Sequence, residues 1–270
     1  MRMRLSAMVM TCLAVLSTTA SVRACGYGLP NPFARFTLAE CVVVGKVLSF
    51  DGQLVSAAPL PQAKQKVQYA VAEVEIVQAL KGAEGLTHLR VGFMPNENLH
   101  IGQVGCFFLN PHFAEAFYVM PSRFGLASMR DNNPGFEAEL KQYEHWGKLL
   151  RDPNASLQSE NAEDRYLTAS LLLSEYNTFQ PGVHVAATKK TAIDGMQSKL
   201  ILLAIANVDW TKVGKNMETM PAQLFNQLGL TPKQGWTAQG IKTAKDFEDA
   251  AKKWLKNNAE TFQIKAFVRI

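Results

Sequence analysis

The residues best suited to hold a metal ion are His100, Cys106 and His112, which follow one another at intervals of six. Zinc sites are normally built from closer ligand pairs, such as two cysteines separated by two residues or two histidines one helical turn apart. The sequence contains neither arrangement, and Pro111 falls inside the second interval. We therefore expect these to be turn and strand-end residues, and we predict no metal and no cofactor.

Motifs for catalysis are also missing from the sequence. It has no Gly-x-Ser-x-Gly elbow and no phosphate-binding Walker A loop. Glu73 with Glu75, and Glu137 with Glu139, are two residues apart, a spacing that puts both carboxylates on one face of a strand. Such faces are usually solvated, so we predict no catalytic residue.

The N-terminus has the pattern of a secretory signal peptide. A cationic start, Met1 to Arg4, precedes an apolar run from Leu5 to Leu16, and a small-residue stretch ends at Ala24. We expect cleavage after Ala24, export from a bacterial cell, and a final location that is secreted, periplasmic or in the cell envelope. Lipid anchoring at Cys25 is an alternative, although Arg23 is an awkward residue so close to a lipid-modified cysteine.

The charge balance changes when this leader is removed. The whole chain has 28 basic and 23 acidic residues, a net charge of +5, and the leader contains Arg2, Arg4 and Arg23 but no acid. The remainder is therefore only +2, without the basic stripe of a nucleic-acid-binding protein. The next apolar run, 200–208, is too short to cross a bilayer. We expect no nucleic-acid partner and no transmembrane segment after signal removal.

The next hundred residues have the pattern of β-strands. The strands are expected at 41–50, 67–77, 86–94, 104–109 and 115–120, separated by turn signals and by a proline-containing loop at 53–65. The links are short, which favours antiparallel neighbours. The pattern predicts a small closed barrel or a sandwich.

From Pro134 onward the apolar residues recur at helical spacing. We expect five helices, with cores at 136–150, 162–176, 192–208, 220–229 and 246–257. The predicted fold class is α+β with two domains. The predicted divisions are a signal peptide at 1–24, an antiparallel five-stranded β-barrel at 25–130 and an all-α domain at 131–270.

The β-strand half resembles the netrin-like module, the oligonucleotide/oligosaccharide-binding (OB) barrel of tissue inhibitors of metalloproteinases. The matching features are Cys25 at the mature start, the pair Ala39-Glu40 leading into Val42 to Val47, and the turn Leu80-Lys-Gly82 after a long alternating strand. The resemblance spans about residues 25–125, and the helical half has no part in it.

In that family the α-amine and carbonyl of the first cysteine chelate the zinc of a target protease, which would assign this role to Cys25. The chain departs from the family at two neighbouring positions. Gly26 replaces a small polar residue that enters the protease pocket, and Tyr27 replaces a second cysteine. OB barrels bind ligands on the face of their second and third strands, so Tyr69 is a further candidate binding residue. Filling the core is the alternative role for Tyr69 and for the other aromatic residues of this half.

Three cysteines remain after the leader, Cys25, Cys41 and Cys106, so one internal disulfide is the maximum. The resemblance implies a bond between Cys25 and Cys106. A bond between Cys41 and Cys106 is the competing arrangement, and Cys41 as a buried apolar residue is a third interpretation.

The favoured functional interpretation is an exported, non-enzymatic binding protein whose OB-like barrel contacts another protein or an envelope component. The alternative from a different class is a secreted hydrolase with a site between the two domains. A metalloproteinase inhibitor acting through Cys25 is a remote third option.

Overall fold

The computed structural model describes residues 31–95, 97, 99–120, 128–184, 189–214 and 219–269. The predicted leader and the candidate residues Cys25, Gly26 and Tyr27 lie outside these ranges. The elements follow one another as α1 (Pro32–Leu38), β1 (Cys41–Phe50), β2 (Val55–Ala57), β3 (Val67–Lys81), β4 (His88–Phe93), β5 (Val104–Pro111), β6 (Tyr118–Val119), β7 (Ser128–Met129), α2 (Phe136–Arg151), α3 (Pro153–Leu157), α4 (Ala162–Asn177), β8 (Lys190–Ala192), α5 (Gly195–Asn207), α6 (Pro221–Gln227), α7 (Ala244–Asn258) and β9 (Lys265–Phe267). The mixture of strands and helices, with most helices in the C-terminal half, confirms the coarse prediction.

Strands β1 to β7 form one sheet in which five strands each have neighbours on both sides. β1 pairs with β3, β3 with β4, β4 with β6, β6 with β5, and β5 again with β1. β2 is added at β3 and β7 at β5. The pairing of β4 with β6 is parallel, which corrects the prediction of a purely antiparallel sheet. Short links predict the pairing of consecutive strands only, and these two strands are not consecutive.

Both faces of β1 are buried because the sheet lies between two apolar clusters. Val43 and Val47 face a cluster that includes Val74 and Phe107. Val42, Val44, Cys106 and Phe108 face the opposite cluster, which α1 and α2 cover with aromatic side chains: Phe33, Phe36, Tyr143 and Trp146. This covering fixes α1 and α2 on the outer face of the sheet.

Helix α1 lies ahead of the strands, where the sequence analysis predicts no helix. Asn31 caps it by accepting a hydrogen bond from the backbone N–H of Ala34 at 2.8 Å, and Pro32 takes the first helical position. A helix of seven residues is unstable alone. Burial of Phe33 and Phe36 against α2 therefore stabilises it.

The helical half has its own apolar cluster, built from α4, α5, α6 and α7 around Ile201 and Leu224. α4 also contacts α1 and α2, with Leu171 in the cluster under the sheet and Leu172 in the helical cluster. β8 and β9 pair as a small two-stranded sheet, so the prediction that residues 131–270 are all helical is wrong. Such three-residue strands depend on tertiary contacts and leave little periodic signal.

In the part of the chain that the structure describes, no helix combines the length and the apolar character needed to cross a bilayer.

Candidate functional site

Tyr69 lies in a small aromatic cluster under the loop after β5. Its side chain is buried, and its ring meets the rings of His112 at 5.9 Å and Phe117 at 5.5 Å between centroids. Burial raises the pKa of the Tyr69 phenol. A ring in this position supports the loops above it, which agrees with the alternative prediction that Tyr69 fills the core. It offers little surface to a ligand.

His112 ties two loops of the sheet together. Its Nδ1 accepts hydrogen bonds from the backbone N–H groups of Ala114 and Glu115, so its proton is on Nε2, which donates to the carbonyl of Ala58 at 2.9 Å. The first loop, 51–66, joins β1 to β3 and contains the short strand β2, and the second, 112–117, joins β5 to β6. The backbone N–H groups of Ala114 and Glu115 bind the imidazole and are therefore not available for strand pairing. The strand predicted at 115–120 is accordingly reduced to Tyr118–Val119.

Large apolar side chains are exposed on both of these loops. Leu54 is 54 % exposed, Leu60 47 % and Phe113 37 %. The Phe113 ring stacks on His112 with 4.7 Å between ring centroids, which holds it at the surface. We call these three residues the loop surface. The hydrogen bond between His112 and Ala58 joins the two loops, so the loop surface is a candidate contact site for another molecule.

A group of charged side chains lies where the sheet meets α4 and the C-terminal segment. It consists of Glu40 before β1, Lys81 at the end of β3, Glu175 in α4 and Arg269 after β9, and we call it the charge cluster. Arg269 Nη1 donates to Glu40 Oε2 at 2.7 Å, and Nη2 donates to Glu175. Lys81 Nζ lies 3.6 Å from Glu175 Oε2. Two cations and two carboxylates therefore neutralise one another.

Lys81 also caps the C-terminal end of α1. Its ammonium donates to the carbonyls of Phe36 at 3.3 Å and Thr37 at 3.4 Å, where a positive charge complements the helix dipole. Burial lowers the pKa of Lys81 to about 8, Glu40 opposes this fall and Arg269 adds to it. A lysine with such a pKa is suited to act as a base, but here carbonyls and a carboxylate surround the ammonium.

Polar contacts continue from the charge cluster to a buried histidine. The side chain of Asn110 accepts from the backbone N–H of Glu40 at 2.8 Å and donates to Gln180 Oε1 at 2.7 Å. The backbone N–H of Gln180 donates to His184 Nδ1 at 2.7 Å. Burial lowers the pKa of His184, and Glu40 opposes this effect. The network joins the start of β1 and the end of β5, which lie side by side, to the segment after α4.

A shallow cleft of about 190 Å³ opens beside Lys81 and Glu175. Pockets for drug-sized ligands are typically about 300–1,000 Å³, so this cleft is small for a substrate site. Among the described residues, no group of three histidine, cysteine, aspartate or glutamate side chains is placed to hold a metal ion.

Two of the three features that carry the netrin-like resemblance, the Ala39-Glu40 pair and the Leu80-Lys-Gly82 turn, meet in space. Gly82 has a φ of +63°, which favours glycine, and a Cβ built on it would lie 2.1 Å from the carbonyl oxygen of Glu40. The turn after β3 therefore packs directly on the residue that precedes β1. Sequence reasoning identified Glu40 and the Lys81 turn as fold markers but missed their place in the charge cluster.

The two described cysteines are not bonded to each other and lie on opposite faces of the sheet. Cys41 pairs across strands with Leu109, whereas Cys106 pairs with Val44. Along the paired strands the two cysteines are offset by three positions, which puts their Cα atoms about 11 Å apart. A disulfide spans a Cα–Cα distance of at most roughly 7 Å. The Cys41–Cys106 alternative is therefore wrong. The Cys25–Cys106 bond stays a prediction because Cys25 lies outside the described residues.

No protein-family model matches this chain, and no curated protein matches it significantly.

Proposed function

We propose that this chain is an exported, non-enzymatic binding protein that contacts another protein or an envelope component through the loops of an OB-like barrel. Five strands with neighbours on both sides support a closed barrel, since closure leaves no free edge among them. In this proposal residues 25–130 form the barrel domain and 131–270 the helical domain, with α4 packed against both.

The observation that carries the proposal is the loop surface. Leu54 and Leu60 lie on the loop between the first two barrel strands, and Phe113 lies on the loop before the last one. These are the loops with which OB folds bind their ligands. The hydrogen bond from His112 to Ala58 holds the two loops beside each other. Large apolar side chains at the centre of an interface supply much of its binding energy.

Photo-crosslinking in the cells that export the protein tests the proposal. A crosslinkable phenylalanine analogue is introduced at Leu60 or at Phe113, and in a control at Met196, which is 59 % exposed on α5. We expect adducts of the same mass from positions 60 and 113 and none from 196. Equal adducts from all three positions, or none from 60 and 113, would contradict the proposal.

A secreted hydrolase is the second candidate, and the cleft beside Lys81 and Glu175 is the observation that favours it. In the proposed binding protein, both side chains serve the fold. Lys81→Met should therefore leave any hydrolytic activity of the purified protein unchanged. Loss of a measurable hydrolytic activity in Lys81→Met, with the far-UV circular dichroism retained, would favour the hydrolase.

The remote inhibitor hypothesis and the predicted export are tested on the mature N-terminus. Unchanged rates for a panel of metalloproteinases at micromolar protein would reject inhibition through Cys25. Intact mass and N-terminal sequencing of the exported protein identify the cleavage site, a lipid on Cys25 and the number of bonded cysteines. A protein retaining Met1 and found only inside the cell would reject export.

A further inference from the structure

The tip of the second loop, residues 113–115, is held in place by the imidazole of His112. The backbone N–H groups of Ala114 and Glu115 donate to its Nδ1 at 3.1 Å and 3.0 Å. On the other side of the ring, Nε2 donates to the carbonyl of Ala58 at 2.9 Å. Both ring nitrogens are therefore engaged, and His112 is only 7 % exposed. This set of contacts fits the neutral ring with its proton on Nε2.

The rest of the second loop is anchored by contacts that do not involve the imidazole. The backbone N–H of His112 donates to the carbonyl of Phe117 at 3.0 Å, which closes the loop at its base. Arg90 of β4 donates to the carbonyl of Ala116 at 3.5 Å and pairs with Asp51 at 2.6 Å. Loss of the imidazole contacts would therefore free the tip and leave the base of the loop attached to the barrel.

Protonation of His112 is incompatible with the closed tip. The added proton must go to Nδ1, where two backbone N–H groups already point. The nitrogen would change from acceptor to donor, and both N–H groups would lose their partner. The ring of Phe113 stacks on the imidazole with 4.7 Å between centroids, so it loses its support when the tip opens.

His112 is the group around this tip that responds between pH 7 and pH 5. Tyr69 of β3 meets the imidazole edge-on, and burial raises the pKa of its phenol, so it stays neutral. Carboxylates, lysines and arginines ordinarily change charge outside this range, whereas histidine changes within it. The charged side chains on the two loops, together with the arginine that contacts the second, are all exposed: Asp51, Lys64, Lys66, Arg90 and Glu115.

We propose that His112 is a pH-responsive positioning residue, which assembles the loop surface at neutral pH and releases Phe113 from it in acid. This inference rests on the function proposed for the loop surface and adds its regulation: the partner is held near pH 7 and released near pH 5. A free imidazole binds a proton near pH 6.5, and in the loop it can do so only when the tip opens. By linkage, the equilibrium constant for opening should rise about 25-fold between pH 7 and pH 5.

Amide hydrogen exchange of the purified mature protein, followed by NMR, measures this opening. After correction for the intrinsic exchange rate at each pH, the protection of the Ala114 and Glu115 amides should fall about 25-fold from pH 7 to pH 5. The amide of His112, which is bonded to the base of the loop, should keep its protection. Unchanged protection of Ala114 and Glu115 would overturn the proposal. An equal fall at the His112 amide would do so too, because it would show that the whole loop detaches.

Two histidine variants separate titration of His112 from a structural role. In His112→Asn, the side-chain oxygen can accept from the N–H groups two and three residues on, as in an Asx turn, but it does not gain a proton in this range. The tip should stay protected at both pH values. His184→Asn is the matched control, because His184 is also buried and its Nδ1 also accepts from a backbone N–H. It should leave the fall at Ala114 and Glu115 unchanged. A fall of the same size in His112→Asn would assign the response to another group and overturn the proposal.

The adduct formed from the crosslinkable analogue at Leu60 shows whether the opening controls binding. In lysates of the exporting cells buffered at pH 7 and pH 5, the yield should be at least about fivefold lower at pH 5, and His112→Asn should abolish this difference. Equal yields at the two pH values would keep the binding surface and overturn its regulation. Absence of any adduct at both values would contradict the proposed function itself, and the regulation with it.

Discussion

Glu175→Gln should destabilise the protein strongly because it leaves a buried cation without its countercharge. Glu175 is the only residue that contacts both cations of the charge cluster among the described residues. Its side chain is 13 % exposed and that of Lys81 is 11 % exposed. Without its charge, Lys81 and Arg269 face a single carboxylate, Glu40.

The expected cost is about 2–3 kcal/mol. Removing one partner of a fully buried ion pair costs about 3–5 kcal/mol. We reduce this figure because both side chains are slightly exposed and because glutamine still accepts a hydrogen bond from Arg269. For a chain of this size each kcal/mol shifts Tm by about 2–4 °C, so Tm should fall by about 4–12 °C.

Thermal and urea unfolding measure this change, with Glu163→Gln as the control. Glu163 is exposed in the first turn of the same helix, where a carboxylate contributes about 0.3–1 kcal/mol. The double variant Lys81→Met/Glu175→Leu removes a cation and an anion together and should recover much of the loss. Equal effects of Glu175→Gln and Glu163→Gln would refute the reasoning. A double variant that loses as much stability as the sum of Lys81→Met and Glu175→Leu, each measured singly, would refute it as well.

Three further predictions concern packing, pH and thiols. A Cβ at Gly147 would lie 2.2 Å from the carbonyl oxygen of Leu80, so Gly147→Ala should cost about 1–3 kcal/mol in urea unfolding. A Cβ at Gly195 would meet only Gln263 Nε2, at an ordinary contact distance of 3.6 Å, so Gly195→Ala should cost nothing. The lowered pKa of His184 means that the unfolded state binds its proton first, so stability should fall as pH drops below about 6.5, and less steeply in His184→Asn. Burial raises the pKa of Cys41 to about 12, so a thiol reagent at pH 8 should not modify it in the folded protein. Unchanged pH slopes, or rapid labelling of Cys41, would contradict these predictions.

The strand β1 and the longer helices could be predicted because their local signals agree with their packing. The β-branched run beginning at Cys41 occupies β1 over the bounds that the sequence predicts. Acidic residues in the first turn mark the start of α4, and the observed helix ends one residue past the prediction. Periodicity and terminal charge are properties of the segment itself.

The missed features depend on residues that are distant in sequence. The charge cluster joins Glu40, Lys81, Glu175 and Arg269, and no short window contains two of them. The cleft lined by Asn177, Gln227 and Lys265 likewise forms only when the ends of several elements come together. α1 is stabilised by side chains of α2 that lie about a hundred residues later. Such contacts are set by tertiary packing and have no local pattern.

The adduct formed from position 113, measured before and after Leu60→Ser, tests most directly whether the two loops form one binding surface. Loss of an apolar contact at the centre of an interface should lower the adduct yield at least about fivefold. Met196→Ser on α5 serves as the control and should leave the yield unchanged. An adduct yield from position 113 that Leu60→Ser does not change would contradict the account.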